Sequence, residues 1–320
     1  MLKACSMSKS IDRQAVKILK EKGISVDVWN GEKYPNKEEL KQLLSRYDVL
    51  IVGVEERITK DMIVDIKTPK IIASMSIGLD HIDKECFDSK FIDVVNCPNA
   101  NVTSVAEHIL ALILDSSKRI QESNDLVING KPNRKLLTRK PTDIRGKTIG
   151  LIGAGKISQR MVDIANVFNM PILCYTAHPD KHGNLTRKGV EFVELDELLR
   201  NSDIVSVSVP LTNYTTNLIS RDKVELLKKD ATFINTSRTG VTDIQALVEF
   251  ADKNPDFYLG LDIDVGEYTD LFSKKRNNVV VTPHIAGCTE NAIKRQYIEC
   301  AENIVNAVEK RKYEKHIEGR

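Results

Sequence analysis

Short, continuous runs of apolar and β-branched residues alternate with segments of helical period along nearly the whole chain. Because polar residues do not alternate with apolar ones inside these runs, both faces of each predicted strand should be covered. Such strands separated by helices are typical of parallel sheets, so the alternation predicts an α/β protein with doubly wound parallel sheets. The predicted strands are Leu2–Ser6, 25–29, 49–54, Lys70–Ser74, 92–96, 148–153, Ile172–Tyr175, 204–209, Thr232–Asn235, Tyr258–Asp262 and Val279–Thr282.

The length of 320 residues predicts two domains, each with its own core. Residues 104–123 are predicted to form one long helix, opened by a capping box between Ser104 and Glu107. The first half of this helix is apolar almost all round, which indicates burial on several sides. A helix predicted over 289–312 follows the last strand and would return to the first domain. The expected domains are therefore 1–100 with 289–320, and 101–288.

The charge balance gives no reason to expect a polyanionic partner. Lys and Arg total 47 against 45 Asp and Glu, a formal net charge of +2, so neither nucleic acid nor a membrane is expected as a partner. The basic stretch 130–146 is interpreted as a solvated loop, with a phosphate-binding patch as the alternative. Six scattered cysteines and the lack of a long apolar start predict a cytoplasmic protein.

One segment combines a strand, a Gly-x-Gly turn and the start of a helix. Gly153 would permit the tight turn, and Gly155 would let the backbone approach a pyrophosphate. A helix beginning near Lys156 would direct free N–H groups and the positive end of its dipole at that anion. The third glycine of the usual pattern is Ser158 here. Because a second strand follows at Ile172–Tyr175, the segment predicts dinucleotide binding, with a purely structural turn as the alternative.

The position that would choose between NAD and NADP is Thr176, about twenty residues beyond the glycines. NAD-specific sites place a carboxylate there, and Thr176 is not acidic. Asp180 lies shortly after it and could take that role. Three nearby cations would instead favour the 2′-phosphate of NADP: His178, Lys181 and Arg187. The sequence leaves both cofactors open. The same stretch is interpreted as an exposed loop and not as a metal site, and no metal is expected.

Three residues suited to hydride chemistry each come shortly after a predicted strand: Arg238, Glu267 and His284. The planar guanidinium of Arg238 can hold a carboxylate bidentately. Since the carboxyl ends of parallel strands line the ligand crevice of an open sheet, these groups should converge. A nucleophilic pair of Cys288 with His284 is the rival interpretation, although a free cysteine at a helix start is usually a small buried residue.

Together these segments resemble the D-isomer-specific 2-hydroxyacid dehydrogenase family, which includes phosphoglycerate, glycerate and D-lactate dehydrogenases and glyoxylate/hydroxypyruvate reductases. The resemblance covers nearly the whole chain and rests on motifs in the family's order, at 74–83, 235–238, 262–267 and 283–287. It implies a flavodoxin-like substrate domain, a Rossmann cofactor domain and an active site in the interdomain cleft. The substrate domain would be the discontinuous one, and the cofactor domain would be 101–288.

The resemblance implies reversible hydride transfer between NAD or NADP and C2 of a small 2-oxo or 2-hydroxy acid, with D stereochemistry. His284 would be the general base, because the pKa of an imidazole lies near working pH. Glu267 would hydrogen-bond His284 and stabilise its imidazolium form. Arg238 would grip the substrate carboxylate and polarise the carbonyl group. The residues implied to bind the substrate carboxylate through backbone N–H groups are Ser76, Ile77 and Gly78.

The resemblance also implies a cofactor site built from residues that follow several strands. Asp262 is similar to the family aspartate that contacts the nicotinamide carboxamide. The implied cofactor-binding set is Gly153, Gly155, Lys156, Ile157, Thr176, Val209, Pro210, Thr236, Ser237, Asp262 and His284.

A cofactor-sensing binding protein, similar to transcriptional corepressors that resemble this family, is the alternative function. The set of Arg238, Glu267 and His284 favours the enzyme over this alternative. The apolar helix over 104–123 is also predicted to take part in a homodimer, because it is too apolar for an exposed surface.

Overall fold

The computed structural model describes residues 2–8, 10–31, 33–68, 70–264 and 266–318 and, for Glu267 and 312–318, the backbone alone. The strands are β1 (Leu2–Ser6), β2 (Ile24–Val28), β3 (Val49–Val52), β4 (Lys70–Ser74), β5 (Ile92–Val95), β6 (Ile149–Ile152), β7 (Ile172–Tyr175), β8 (Val190–Phe192), β9 (Ile204–Val207), β10 (Thr232–Asn235), β11 (Tyr258–Asp262) and β12 (Val279–Thr282). The helices are α1 (Arg13–Glu21), α2 (Lys37–Arg46), α3 (Lys60–Ile63), α4 (Val102–Lys118), α5 (Ile120–Ile128), α6 (Lys156–Val167), α7 (Gly183–Thr186), α8 (Leu195–Asn201), α9 (Arg221–Val224), α10 (Ile244–Lys253), α11 (Thr269–Phe272) and α12 (Glu290–Glu318).

The chain divides into two compact units. Unit 1 comprises Met1–Asn101 with Thr289–Arg320, and unit 2 comprises Val102–Cys288. Each unit contains one sheet in which every strand pairing is parallel. The predicted α/β class with two doubly wound parallel sheets is therefore confirmed.

Unit 1 has a five-stranded sheet in the order β2-β1-β3-β4-β5, which is the flavodoxin-like order. Successive residues of β3 enter different cores: Val49 and Ile51 belong to one cluster, and Leu50 and Val52 to the other. Both faces of the strand are buried, as continuous apolar runs predict. The C-terminal helix α12 covers one face, where Ile304 is fully buried.

Unit 2 has a seven-stranded sheet in the order β12-β11-β10-β9-β6-β7-β8. Counted from β6, this is the Rossmann order 3-2-1-4-5-6 with one further strand at the edge. The chain winds outward from β6 in one direction and from β9 in the other, so the switch point of the topology lies between these two strands. Parallel sheets bind ligands at such a point, outside the carboxyl ends of the strands.

Strand β8 is one element that the sequence analysis missed. It contains only three residues, and the middle one, Glu191, is charged and exposed. A short edge strand with a polar residue in its centre lacks the continuous apolar run on which the prediction depended.

The prediction of one helix over 104–123 was wrong, because the chain breaks at Arg119 between α4 and α5. Arg119 adopts a left-handed conformation with a φ of +56°. Its buried guanidinium pairs with Glu122 at 2.6 Å, and Glu122 accepts hydrogen bonds from the N–H and hydroxyl of Thr138. Ser104 is also not a cap, since it lies buried inside α4. Non-local partners fix this break, and helical periodicity cannot reveal them.

Candidate active site

The chain makes a tight turn directly after β6, at Gly153, where φ is +101°. The N–H of Gly153 donates a hydrogen bond to the carbonyl oxygen of Tyr175, at 2.8 Å. A Cβ at this position would lie 2.8 Å from both the carbonyl oxygen of Ser208 and Cγ1 of Val209. Only glycine combines this φ with so close an approach of backbone. Val209 and Pro210 follow β9, so the turn lies at the switch point of the sheet.

The start of α6 is shaped to receive an anion. Gly155 precedes the helix, and a Cβ built on it would meet no described atom within 4 Å. Lys156 and Ile157 open the helix, whose first N–H groups receive no side-chain cap from Gly155. Such N–H groups and the helix dipole favour a phosphate. Ser158, in the place of the third glycine, is buried. These residues fit the pyrophosphate of a dinucleotide.

A cavity of about 260 Å³ lies at the carboxyl end of β7. Thr176 lines it, and two carboxylates, Glu194 and Glu197, line it from the chain after β8 and from α8. Neither of these two carboxylates is predicted from the sequence, because both follow β8, which the apolar pattern does not reveal. The other lining residues are Cys174, Tyr175, Pro179, Phe192 and Val193.

The loop after β10 is organised by Asn235, which is fully buried. Its Oδ1 accepts hydrogen bonds from the N–H and the hydroxyl of Ser237, at 2.8 and 2.7 Å. Its Nδ2 donates to the carbonyl oxygen of Arg238 at 3.1 Å and to the hydroxyl of Thr242 at 3.2 Å. One amide side chain therefore sets the conformation of the loop that presents Thr236, Ser237 and Arg238.

Asp262 ends β11, and its carboxylate is fully buried. Its Oδ1 accepts hydrogen bonds from the hydroxyl of Thr282 and the N–H of Ile285, at 2.5 and 2.8 Å. Its Oδ2 accepts one from the N–H of Ala286, at 2.8 Å. Asp262 thus holds the turn around His284 from both sides, a role that the sequence analysis did not identify. A contact with the nicotinamide carboxamide stays a prediction.

His284 lies half-buried in that turn, with a φ of +55°. Its N–H donates to the carbonyl oxygen of Thr282 at 2.9 Å. The thiol of Cys288 lies 3.5 Å from the carbonyl oxygen of His284. Burial and the Asp262 carboxylate raise the pKa of Cys288, so the thiolate that a nucleophile needs is disfavoured. The geometry gives no support to a Cys–His nucleophilic pair.

Glu267 belongs to the 3₁₀ turn Gly266–Tyr268, between β11 and β12. Its side chain lies outside the described part of the structure. The hydrogen bond from Glu267 to His284 therefore stays a prediction.

In unit 1, three consecutive residues in the loop after β4 each accept a hydrogen bond at the carbonyl oxygen. Ser76, Ile77 and Gly78 accept hydrogen bonds at their carbonyl oxygens from the N–H of Cys97 (3.0 Å), the amide of Asn96 (2.8 Å) and the hydroxyl of Ser76 (2.5 Å). The described part of the chain offers no acceptor to the N–H groups of these three residues. Consecutive N–H groups of this kind form a cradle for an anion.

The same loop is braced by side chains that the sequence analysis did not select. The buried hydroxyl of Ser74 lies 2.8 Å from the hydroxyl of Ser76 and 3.0 Å from Nε2 of His81. These contacts hold the Ser76 side chain within its own loop. Ser76 would therefore contribute its N–H group and not its hydroxyl to a bound anion.

Within the described ranges, no helix is long and apolar enough to cross a bilayer. In the same part of the chain, no group of three or more His, Cys, Asp or Glu side chains could hold a metal ion. His178, Asp180 and His182 lie at or in the exposed 3₁₀ turn Pro179–His182.

Comparison with known proteins gives matches over nearly the full length. The D-isomer specific 2-hydroxyacid dehydrogenase family, NAD binding domain, matches residues 110–286. A hydroxypyruvate reductase from Thermotoga maritima is 36% identical over 299 residues, which cover 92% of this chain and 94% of that protein. An acyclic imino acid reductase, Bsp5, in complex with NADPH and D-Arg has a TM-score of 0.82 at 29% identity, covering 97% of this chain and 98% of its own. D-lactate dehydrogenase from Aquifex aeolicus, complexed with NAD and lactic acid, has a TM-score of 0.77 at 28% identity, covering 99% and 98%.

Proposed function

Because this chain belongs to the D-isomer specific 2-hydroxyacid dehydrogenase family, we propose that it reduces a small 2-oxo acid with Arg238, Glu267 and His284 as its catalytic residues. The chain is a nicotinamide-dependent oxidoreductase of 2-hydroxy and 2-oxo acids. The observation that carries the proposal is the placement of Arg238 and His284 after β10 and β12. Both residues follow the carboxyl ends of strands in one parallel sheet, and the Gly153 turn follows another strand of the same sheet. No feature of the described residues favours the corepressor-like alternative.

The cofactor site is supported by the fit of unit 2 to a dinucleotide. A bound reduced nicotinamide supplies the hydride. The N–H groups at the start of α6 would bind its pyrophosphate, and Gly155 leaves the backbone open to that anion. Val209 and Pro210 lie across the switch point from α6, where they would exclude water from the bound cofactor. Thr236 and Ser237, held by Asn235, would provide polar contacts after the next strand.

The proton is carried by His284. During reduction, its imidazolium would donate a ring proton to the carbonyl oxygen of the substrate while C2 gains the hydride. During oxidation, the neutral imidazole would remove the hydroxyl proton. Glu267 would accept the hydrogen bond from the other ring nitrogen and stabilise the charged form. Arg238 would bind the substrate carboxylate and stabilise negative charge that develops on the carbonyl oxygen.

In unit 1, the loop after β4 is proposed to bind a carboxylate through its backbone N–H groups. The N–H groups of Ser76, Ile77 and Gly78 have no described acceptor, and their carbonyl groups are already engaged. A carboxylate is the ligand that such a cradle favours. This supports a small carboxylic acid as the substrate.

We propose NAD(H) as the preferred cofactor. The cavity after β7 is lined by Glu194 and Glu197, and neither Lys nor Arg is among its lining residues. A 2′-phosphate would bring two further negative charges near these carboxylates. Like charges about 4 Å apart in a solvated site repel by about 1 kcal/mol, which corresponds to about a fivefold to tenfold preference.

One assay tests the reaction and the cofactor preference together. Glyoxylate, hydroxypyruvate and pyruvate are each mixed with NADH or NADPH, and loss of the reduced-cofactor absorbance is followed. We expect turnover with at least one acid, and a KM about tenfold lower for NADH than for NADPH. In a double variant with Glu194→Gln and Glu197→Gln, the difference between the KM for NADH and the KM for NADPH should become smaller. Tight cofactor binding without turnover of any of the three acids would favour the alternative function, a cofactor-sensing binding protein. A lower KM for NADPH than for NADH would contradict the assignment of NAD(H) as the preferred cofactor.

We propose that the chain forms a homodimer through α5 and the adjoining 3₁₀ turn Arg134–Leu136. The apolar residues of α4 are used inside unit 2, where Ile109 and Ile113 are buried. By contrast, Ile120, Val127, Ile128 and Leu136 are each more than half exposed. Exposed apolar side chains of this size, three of them on one short helix, favour an interaction surface, and a second copy of the chain is the partner that symmetry favours.

Light scattering at micromolar concentration tests this dimer. We expect twice the mass of one chain for the unaltered protein. The double substitution Val127→Asp and Ile128→Asp should halve that mass, because charged residues are excluded from the centre of stable interfaces. A monomeric unaltered protein would refute the proposal.

A cytoplasmic location is supported by the chemistry of the cysteines. All six are free, and five of them are buried. Unpaired thiols are typical of proteins in a reducing compartment.

A further inference from the structure

A chain of three side chains ties the His284 turn to helix α4. Nε2 of His108, on α4, lies 3.1 Å from Oγ1 of Thr282, the last residue of β12. The Thr282 hydroxyl in turn lies 2.5 Å from Oδ1 of Asp262. His108 is 3.9 Å from the same carboxylate oxygen, and its side chain is 19% exposed. Nothing in the reaction described above uses His108.

The direction of the hydrogen bonds in this chain follows from proton counting. A carboxylate only accepts, so the single hydroxyl proton of Thr282 is donated to Asp262. The alternative acceptor for that proton, the carbonyl oxygen of Leu261, lies farther away at 3.3 Å. In either case Oγ1 of Thr282 must accept from His108. Nε2 of His108 therefore carries a proton, and the imidazole is the terminal donor of the chain.

The carboxylate at the other end of this chain fixes the backbone on both sides of His284. Asp262 accepts from Thr282 before His284 and from the N–H groups of Ile285 and Ala286 after it. The left-handed φ of His284 persists only where its surroundings hold it. A change in the orientation of the Asp262 carboxylate would therefore move the His284 imidazole.

We propose that His108 is a positioning residue of the reaction: through Thr282 it orients the Asp262 carboxylate, which holds His284 in its turn. The inference rests on His284 being the proton carrier. Helix α4 would thereby contribute to catalysis through His108, although the proposed catalytic residues all lie in loops that follow strands.

The same helix provides a matched control. Two helical turns after His108, the hydroxyl of Ser116 lies 2.6 Å from that of Thr232, the first residue of β10. This link also joins α4 to a strand threonine, but at the amino end of the sheet, away from the His284 turn. Ser116→Ala should leave kcat unchanged.

The test is a double-mutant cycle measured by steady-state kinetics. His108→Phe keeps a ring but removes the donor, and Thr282→Val keeps the shape but removes the hydroxyl. We expect His108→Phe to lower kcat about tenfold, since small displacements of a catalytic group are costly, while the Kd for reduced cofactor stays within twofold. The double variant should be no slower than Thr282→Val alone, because both changes break one chain. His108→Gln, whose terminal amide can donate from nearly the same place, should recover kcat to within about threefold.

An isotope effect separates positioning from a general loss of folded protein. With cofactor deuterated at the transferred hydrogen, His108→Phe should show a larger isotope effect on kcat than the unaltered enzyme, because the chemical step becomes slower. If the substitution only destabilised the fold, a smaller fraction of the enzyme would be active, but the isotope effect on kcat would be unchanged. The inference would be overturned if the isotope effect of His108→Phe were unchanged. It would also be overturned if the effects of His108→Phe and Thr282→Val on kcat were additive in the double variant, or if His108→Gln did not recover kcat. Loss of turnover in a His284→Asn variant, with His108→Phe fully active, would refute this inference while leaving the proposed function intact.

Discussion

Replacing His284 by alanine should lower kcat by about 10³-fold while the enzyme still binds reduced cofactor. Removal of the imidazole leaves no group on the β12 turn to give or take the proton at the substrate oxygen, and general acid–base catalysis contributes about 10²- to 10⁴-fold. Cofactor binding should persist, because the N–H groups of α6 lie on a different part of the sheet. Single-turnover kinetics and a fluorescence titration of NADH measure the two quantities.

A second variant besides His284→Ala is needed, because alanine could disturb the left-handed backbone conformation of residue 284. The φ of +55° is tolerated by asparagine better than by alanine, for which a left-handed conformation costs about 1 kcal/mol. His284→Asn should therefore preserve the turn and still lose turnover to the same extent. If His284→Asn retains more than a tenth of the original kcat, the imidazole is not the proton carrier.

Arg238→Lys should lower kcat/KM for the 2-oxo acid by about 10²-fold. Lysine keeps the positive charge but cannot hold a carboxylate with two parallel N–H donors, and it stabilises the developing oxyanion less well. The anchoring of the loop by Asn235 should be unaffected, because the bond from Asn235 reaches the backbone carbonyl of residue 238 and not its side chain. The Kd for NADH should then stay within twofold of its original value. Steady-state kinetics with the acid identified in the turnover assay provide the measurement.

An arginine on the surface of the same unit is the control for this substitution. Arg221 pairs with Glu249 at 2.6 Å, and both side chains are exposed. Arg221→Lys should leave kcat/KM unchanged, since exposed ion pairs contribute little. Adding guanidinium ion to an Arg238→Ala variant should restore part of the activity. Equal kcat/KM for Arg238→Lys and the unaltered enzyme would exclude Arg238 as the substrate anchor.

Much of the fold could be predicted because the strands of a parallel sheet are buried on both faces. The run that became β3, for example, is apolar at every position, and each of its residues is buried. Local patterns failed where distant partners decide the backbone. The break at Arg119 depends on a buried ion pair whose acid is held by Thr138, sixteen residues farther on. No helical periodicity contains that information.

The candidate site could be predicted where a residue type and its place after a strand carry the chemistry. Arg238 and His284 are recognisable in this way, since the strand ends of one sheet share an edge. The residues that support them are not recognisable, because Asn235 and His108 act through other groups and matter only once the chain is folded. Glu194 was missed for a third reason: it reaches the cofactor cavity by way of β8, which the sequence did not reveal.

The discontinuity of unit 1 has a consequence for how the chain acquires its structure during synthesis. One of the two cores of unit 1 joins side chains of the segment before unit 2 to side chains of α12, which the ribosome makes after the whole of unit 2. Unit 2 is continuous, so all of its strands are translated before α12. The segment of unit 1 that precedes unit 2 therefore keeps apolar surface uncovered until α12 has been made. Truncation just before residue 289 should leave a product that binds chaperones through the segment of unit 1 that precedes unit 2.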